Sequence, residues 1–178
     1  MPLRVPFLIV AFLALTVIGA AEARRGFPGS DWTTYRNERF GFSLRYPADV
    51  FEVERTSEAG DGQVFVGMRG HGRLLVGAFA NRDAHTVESY RRLIARDSYS
   101  GFDISYAPRG QTWFVLSGEG NGTMFYEKVM FSCAGSVINS FALMYPSDSR
   151  NQFDPIVEGI EKTFRAGQEC GRYARQEP

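Results

Sequence analysis

The sequence predicts an α+β fold, with helices packed on an antiparallel sheet. Three observations carry this. Phe40, Phe42, Leu44 and Tyr46 alternate with Gly41, Ser43 and Arg45, which places four large apolar groups on one face of a strand. The stretch from Asp103 to Tyr145 reads as successive strands joined by short turns, and strands joined so tightly must run antiparallel. Val87, Tyr90, Leu93 and Ile94, and later Ile156, Ile160 and Phe164, recur instead at helical spacing.

The N-terminus reads as a targeting segment. Arg4 precedes an uncharged, mostly apolar run from Val5 to Ala21, and Ala21-Glu22-Ala23 is an A-x-A cleavage signature. Residues 1–23 are therefore expected to be a signal peptide, with a cut after Ala21 as the alternative. An uncleaved anchor is disfavoured, because the run falls short of the ~20 apolar residues a spanning helix needs. Cleavage after Ala23 leaves 155 of the 178 residues, enough for one domain with a real core. The expected organisation is a polar lead-in at 24–31, one domain at 32–167 and a polar tail at 168–178.

In the domain, Pro47 lacks the N–H a ladder needs and ends the first strand. The first hairpin is expected to pair about 40–46 with about 50–55. A second strand ending in Tyr-Pro, Val137 to Pro146, is expected to lie in the same sheet. Gln63 to Arg69 and Arg73 to Ala80 form the next hairpin around Gly70-His71-Gly72. The nearly continuous apolar run RLLVGAFA suggests a central strand covered on both faces. A helix follows over about 86–97, capped by Thr86, with Glu88 in its first turn. Strands are then expected near 103–107, 111–117, 123–133 and 137–145, with Gly118 to Gly122 as one hairpin turn. Asp154-Pro155 reads as the start of the last helix and Gly167 as its stop.

The formal net charge is zero, which removes the electrostatic case for nucleic acid or an anionic membrane surface. No stable membrane insertion is expected once the signal is removed. The two cysteines, Cys133 and Cys170, read as a disulfide in an oxidising compartment; unpaired thiols are the alternative. With His71 and His85 they show no close ligand spacing, so no metal and no cofactor is called. Leu116-Ser117-Gly118-Glu119-Gly120 does not match a nucleophile elbow. The Gly-rich turn after it lacks the following helix that a phosphate loop requires. Arg91, Arg92 and Arg96 read as a solvated helix face, with an anion site as the alternative. Glu52 and Glu54 read as the polar side of a strand. No catalytic residue is assigned.

Tyr35-x-Asn37, the run Phe40 to Pro47, Tyr126-Glu127-Lys128, Leu143-Met144-Tyr145-Pro146 and the closing helix Asp154 to Phe164 together resemble PsbP/Mog1-like domains. The resemblance spans most of Tyr35 to Arg165. It implies an α/β/α sandwich with a central antiparallel sheet. Members of the group serve as a photosystem subunit in chloroplasts, as a binder of a small GTPase in the nucleus, and as exported bacterial proteins; none is an established enzyme class. The resemblance assigns no binding residue, and a fold by itself assigns no function. The expectation is a periplasmic or secreted, non-enzymatic module with a protein partner. The alternative is a small-ligand-binding or hydrolytic enzyme using a cleft beside the sheet.

Overall fold

The computed structural model describes residues 29–67 and 70–172. The signal peptide called at 1–23, the start of the lead-in and the end of the tail lie outside the described residues. The chain is α+β with a central antiparallel sheet. Its strands are β1 (Trp32–Arg36), β2 (Ser43–Pro47), β3 (Phe51–Thr56), β4 (Gly62–Gly67), β5 (Arg73–Ala80), β6 (Asp103–Tyr106), β7 (Trp113–Gly120), β8 (Thr123–Ser132) and β9 (Val137–Pro146). The helices are α1 (Val87–Asp97) and α2 (Arg150–Thr163). Seven strands form one sheet in the order β3-β4-β5-β9-β8-β7-β6, and β1-β2 form a separate pair. One face of the sheet carries α2 and the β1-β2 hairpin; the other carries α1.

The first hairpin differs from the expectation. β2 pairs with β1, not with β3, and lies outside the sheet that contains β9. The cause is local. Trp32-Thr33-Thr34-Tyr35 is itself rich in strand formers, and the residues after it turn the chain back. The Asn37 side chain accepts from Phe40 N at 2.7 Å, Gly41 N donates to Asn37 O at 2.9 Å, and Gly41 takes a φ of 73°, which glycine adopts without strain. β2 does end at Pro47. Phe40, Phe42 and Leu44 are buried together as the alternation requires. Tyr35 and Tyr46 lean on Phe65 of β4, with ring centroids 5.8 and 4.5 Å away, so the hairpin caps the sheet. The residues just before β1 are held too: Gly29 N, Ser30 N and Asp31 N all donate to the Asp49 carboxylate.

The β6 to β9 meander follows the sequence reading, except that the turn is tighter than expected. β7 continues to Gly120, and only Asn121 and Gly122, at φ 50° and 71°, reverse the chain. Gly118 lies inside the strand.

α1 begins on Thr86, which accepts from Ser89 N while Ser89 Oγ accepts from Thr86 N. This reciprocal cap satisfies donors that the helix leaves unpaired. α2 starts at Arg150, earlier than expected, and contains Pro155. Phe153 explains the earlier start: it is fully buried and stacks on Tyr145 at 5.0 Å. That burial offsets the one helix bond Pro155 cannot make. Asp154 is not the cap; it accepts the Tyr145 hydroxyl at 2.7 Å. The helix stops before Gly167. Phe164 turns extended, and Arg165 pairs with Ser43 through two backbone bonds of 2.8 and 3.0 Å.

The C-terminal segment then crosses back. Gly167 N donates to Asn139 Oδ1 at 3.1 Å, and the Asn139 amide donates to Met130 O and Ser132 Oγ. Cys170 is bonded to Cys133, with Cα atoms 5.3 Å apart.

Candidate functional site

The expectation that β5 is covered on both faces is not met. Leu74, Val76 and Ala78 are buried under α2 and the hairpin, but Leu75 and Phe79, pointing the other way, are each 39 % exposed. α1 lies over β7 and β8, where Ile94 joins Phe114, Leu116 and Val129 in a second core. Eleven residues of helix are about 16 Å long, whereas seven strands span roughly 29 Å between the edges. One helix on this face cannot cover the sheet: Ile138 of β9 joins the α1 core and Phe79 of β5 touches Tyr90 at 5.9 Å, but β3, β4 and the rest of β5 and β9 stay open.

The open half forms a groove of about 810 Å³. Its floor follows one cross-strand row. Arg55 lies opposite Val64, Val64 opposite Leu75, Leu75 opposite Ala142, and Ala142 opposite Glu127. Cross-strand neighbours share a face, so the row runs from a cation on the edge strand, over apolar side chains, to a carboxyl beneath the border of α1. Ser98 and Tyr99, just beyond α1, make the near wall; Glu58 and Asp61, between β3 and β4, make the far one.

Glu127 is 8 % exposed. Tyr99 donates its hydroxyl to Glu127 Oε2 at 2.8 Å; Oε1 has no hydrogen-bond partner among the described residues. Burial raises the carboxyl to about 7, against the opposing pull of the Tyr99 hydrogen bond. The Tyr99 hydroxyl is in turn held far above its ordinary value, by burial first and then by the Glu127 charge, so it remains a donor. Its ring lies flat on Phe125 at 3.7 Å, which fixes its direction. Tyr90 of α1 is pushed up to about 12 by burial and by Glu127.

In the sequence Glu127 stands out only within the Tyr126-Glu127-Lys128 stretch that carries the resemblance and is not assigned to a site, yet a signal was present. Phe125, Val129 and Phe131 share the buried face of β8, and Glu127 occupies the remaining position of that same alternation. A carboxyl at an apolar position is the informative exception. Glu52 and Glu54, by contrast, are exposed on β3, and Glu54 pairs with Arg73 at 2.7 Å. The arginines of α1 lie among acids: Arg91 and Arg92 approach Glu88 at 3.1 and 3.9 Å, and Arg96 is paired with Asp97. A solvated, internally paired helix face fits these contacts. His71 is exposed in its turn. Cys133 and Cys170 do not line the groove. Among the described residues, no three His, Cys, Asp or Glu side chains converge on a metal position.

Fold and groove together define a class: a sheet sandwich covered on one face and half open on the other. More particularly, the fold is the one shared by PsbP and Mog1. The solution structure of the cyanobacterial PsbP protein CyanoP from Synechocystis sp. PCC 6803 superposes with a TM-score of 0.57 at 14 % identity, over 80 % of this chain and 95 % of that one. The crystal structure of the Ran-binding protein Mog1p from Saccharomyces cerevisiae superposes with a TM-score of 0.56 at 9 % identity, over 77 % and 96 %. No family model and no curated protein sequence matches the chain. At these identities the likeness concerns the fold.

Proposed function

We propose that the protein is an exported, non-enzymatic binding module that contacts a protein partner through the open half of its sheet. The observation that carries this is the uncovered apolar row of Val64, Leu75 and Ala142 beside the exposed Phe79. A sheet buries its apolar face against another layer; here the layer is missing over half of one face, and exposed apolar surface of this kind marks contact sites. The similarly folded Mog1p is named as a Ran-binding protein, which supports a contact role for the scaffold without naming this partner. The N-terminal run that reads as a cleavable signal and the Cys133–Cys170 bond support a periplasmic or secreted location, where disulfides persist.

A second reading is a small-molecule site in the same groove. Its volume of about 810 Å³ favours this, since such sites commonly enclose roughly 300–1,000 Å³. Site-specific photo-crosslinking separates the two. With a photoreactive phenylalanine at position 75 or 79, one defined protein adduct should form in the cell envelope, and none should form from position 158, exposed on α2 on the opposite face of the sheet. Adducts of equal yield from all three positions, or none at all, would remove the partner reading.

A further inference from the structure

We propose that the partner docks by seating a lysine side chain in the groove, its aliphatic stem over Leu75 and Ala142 and its ammonium on Glu127 Oε1. This rests on the binding reading given above and adds the chemistry of the recognised group. Three features of the groove point to it.

The first is the unsatisfied oxygen. Glu127 is almost wholly buried, and among the described residues only its Oε2 is engaged, by Tyr99. A buried polar atom without a partner is costly, and a ligand that supplies a donor there gains what the free protein lacks. The second is the shape of the approach. Ala142 stands between Leu75 and Glu127 in the cross-strand row; its small side chain leaves the groove floor low on the way to the carboxyl. A lysine stem covers apolar surface while its head reaches a polar group. The third is the sign of the surroundings. The ionisable side chains lining the groove are Arg55, Glu58, Asp61, Tyr99 and Glu127, so with Glu127 ionised the groove carries two negative charges in excess. A cation is favoured there and an anionic group is not.

Binding of the ammonium requires the ionised carboxyl. The groups that face Glu127 are the Tyr99 hydroxyl, Tyr90 of α1 and, across the groove, Asp61, Glu58 and Arg55. On the flanking strands its register partners are the apolar Leu116 and Ala142. Burial leaves the free carboxyl half-protonated at about pH 7. Affinity for a cation should therefore rise about tenfold from pH 6 to pH 8 and level off above, releasing a proton on binding.

The test uses n-butylammonium, the end of a lysine side chain, as the probe on the folded protein, followed by NMR. It should shift the Ala142 and Leu75 methyl resonances, more tightly at pH 8 than at pH 6. Butyrate should not, and Glu127→Gln should lose at least tenfold in affinity. Equal binding by the Gln variant, or affinity that is flat or falling with pH, would overturn the proposal. A preference for 1-butanol over the ammonium would do the same, since it would mean the protonated acid serves as a donor. The crosslinking yield at position 75 in the Glu127→Gln background supplies the second arm. A several-fold loss supports the lysine contact. An undiminished adduct sinks it while leaving the partner reading intact, and absence of any adduct in the otherwise native protein sinks the partner reading itself.

Discussion

Tyr99 and Glu127 are 28 residues apart in sequence and share a 2.8 Å hydrogen bond beneath the rim of the open groove. The pairing holds a carboxyl in an apolar layer, which sets up a pH dependence of stability. In the unfolded chain this carboxyl ionises near 4.5, and in the folded one near 7. Between those values the native state keeps a proton that the unfolded state has lost, so the contribution of Glu127 is fully present below pH 4.5 and fades as pH rises through 7. The total is on the order of 3 kcal/mol. Glu127→Gln keeps an acceptor for Tyr99 and removes the titration. Denaturation of both proteins from pH 4 to pH 8 should show the Gln variant gaining on the parent by about that amount. A constant difference across the range would mean that burial does not raise the Glu127 carboxyl in the native state.

The Cys133–Cys170 bond closes a loop of 37 residues. Chain entropy assigns such a loop roughly 4 kcal/mol as an upper figure. The double Cys→Ser protein should still fold, because Phe42, Phe141 and Ile160 are buried without help from the bond, but it should melt lower. Alkylation of the native oxidised protein followed by mass analysis should find no free thiol; two labelled thiols would contradict the bond.

Phe42 and Ile160 are both fully buried, one beside β2 and one on α2, in the same core. Phe42→Ala should cost about 3–5 kcal/mol and Ile160→Ala about 2–5. Chemical denaturation that leaves either midpoint unmoved would show that the corresponding face does not pack on the sheet.

Asn139 is 0 % exposed and ties Met130, Ser132 and Gly167 together. Asn139→Ala strands the buried Gly167 N–H and should cost on the order of 3 kcal/mol. Gly167→Ala should be at least as damaging, because a Cβ there would stand 1.8 Å from the Phe40 carbonyl oxygen, which is backbone and cannot swing aside. If the alanine at 167 melts with the parent, the segment does not pass behind Phe40.

Strand identity was legible wherever one face alone is buried. Phe40, Phe42 and Leu44 alternate because they face a core, and the meander from Asp103 to Pro146 shows its strands and turns for the same reason. α1 was legible from Thr86 and the spacing of Val87, Tyr90 and Ile94. The start of α2 was not, since Asp154-Pro155 is a strong local start signal and the burial of Phe153 overrides it. The pairing of β2 was misread because its apolar face says that it is buried, not against which strand. Of the candidate site, only Glu127 left a mark, as the polar member of an apolar alternation.

The residues by themselves determined the α+β class, the antiparallel meander, the neutral charge and the presence of two cysteines able to pair. These follow from local periodicity and composition, which act over a few neighbours. Tertiary structure alone decided that β1 takes β2 as its partner and that α1 leaves much of a sheet face open. The last of these depends on how far one helix reaches across seven strands, a comparison of lengths between elements distant in sequence. From Leu74 to Ala80 the run is apolar throughout, and its period cannot say which of its faces a helix will cover. That geometry placed Glu127 at the border between the covered and the open half, where the Tyr99 hydroxyl holds one oxygen of a buried carboxyl.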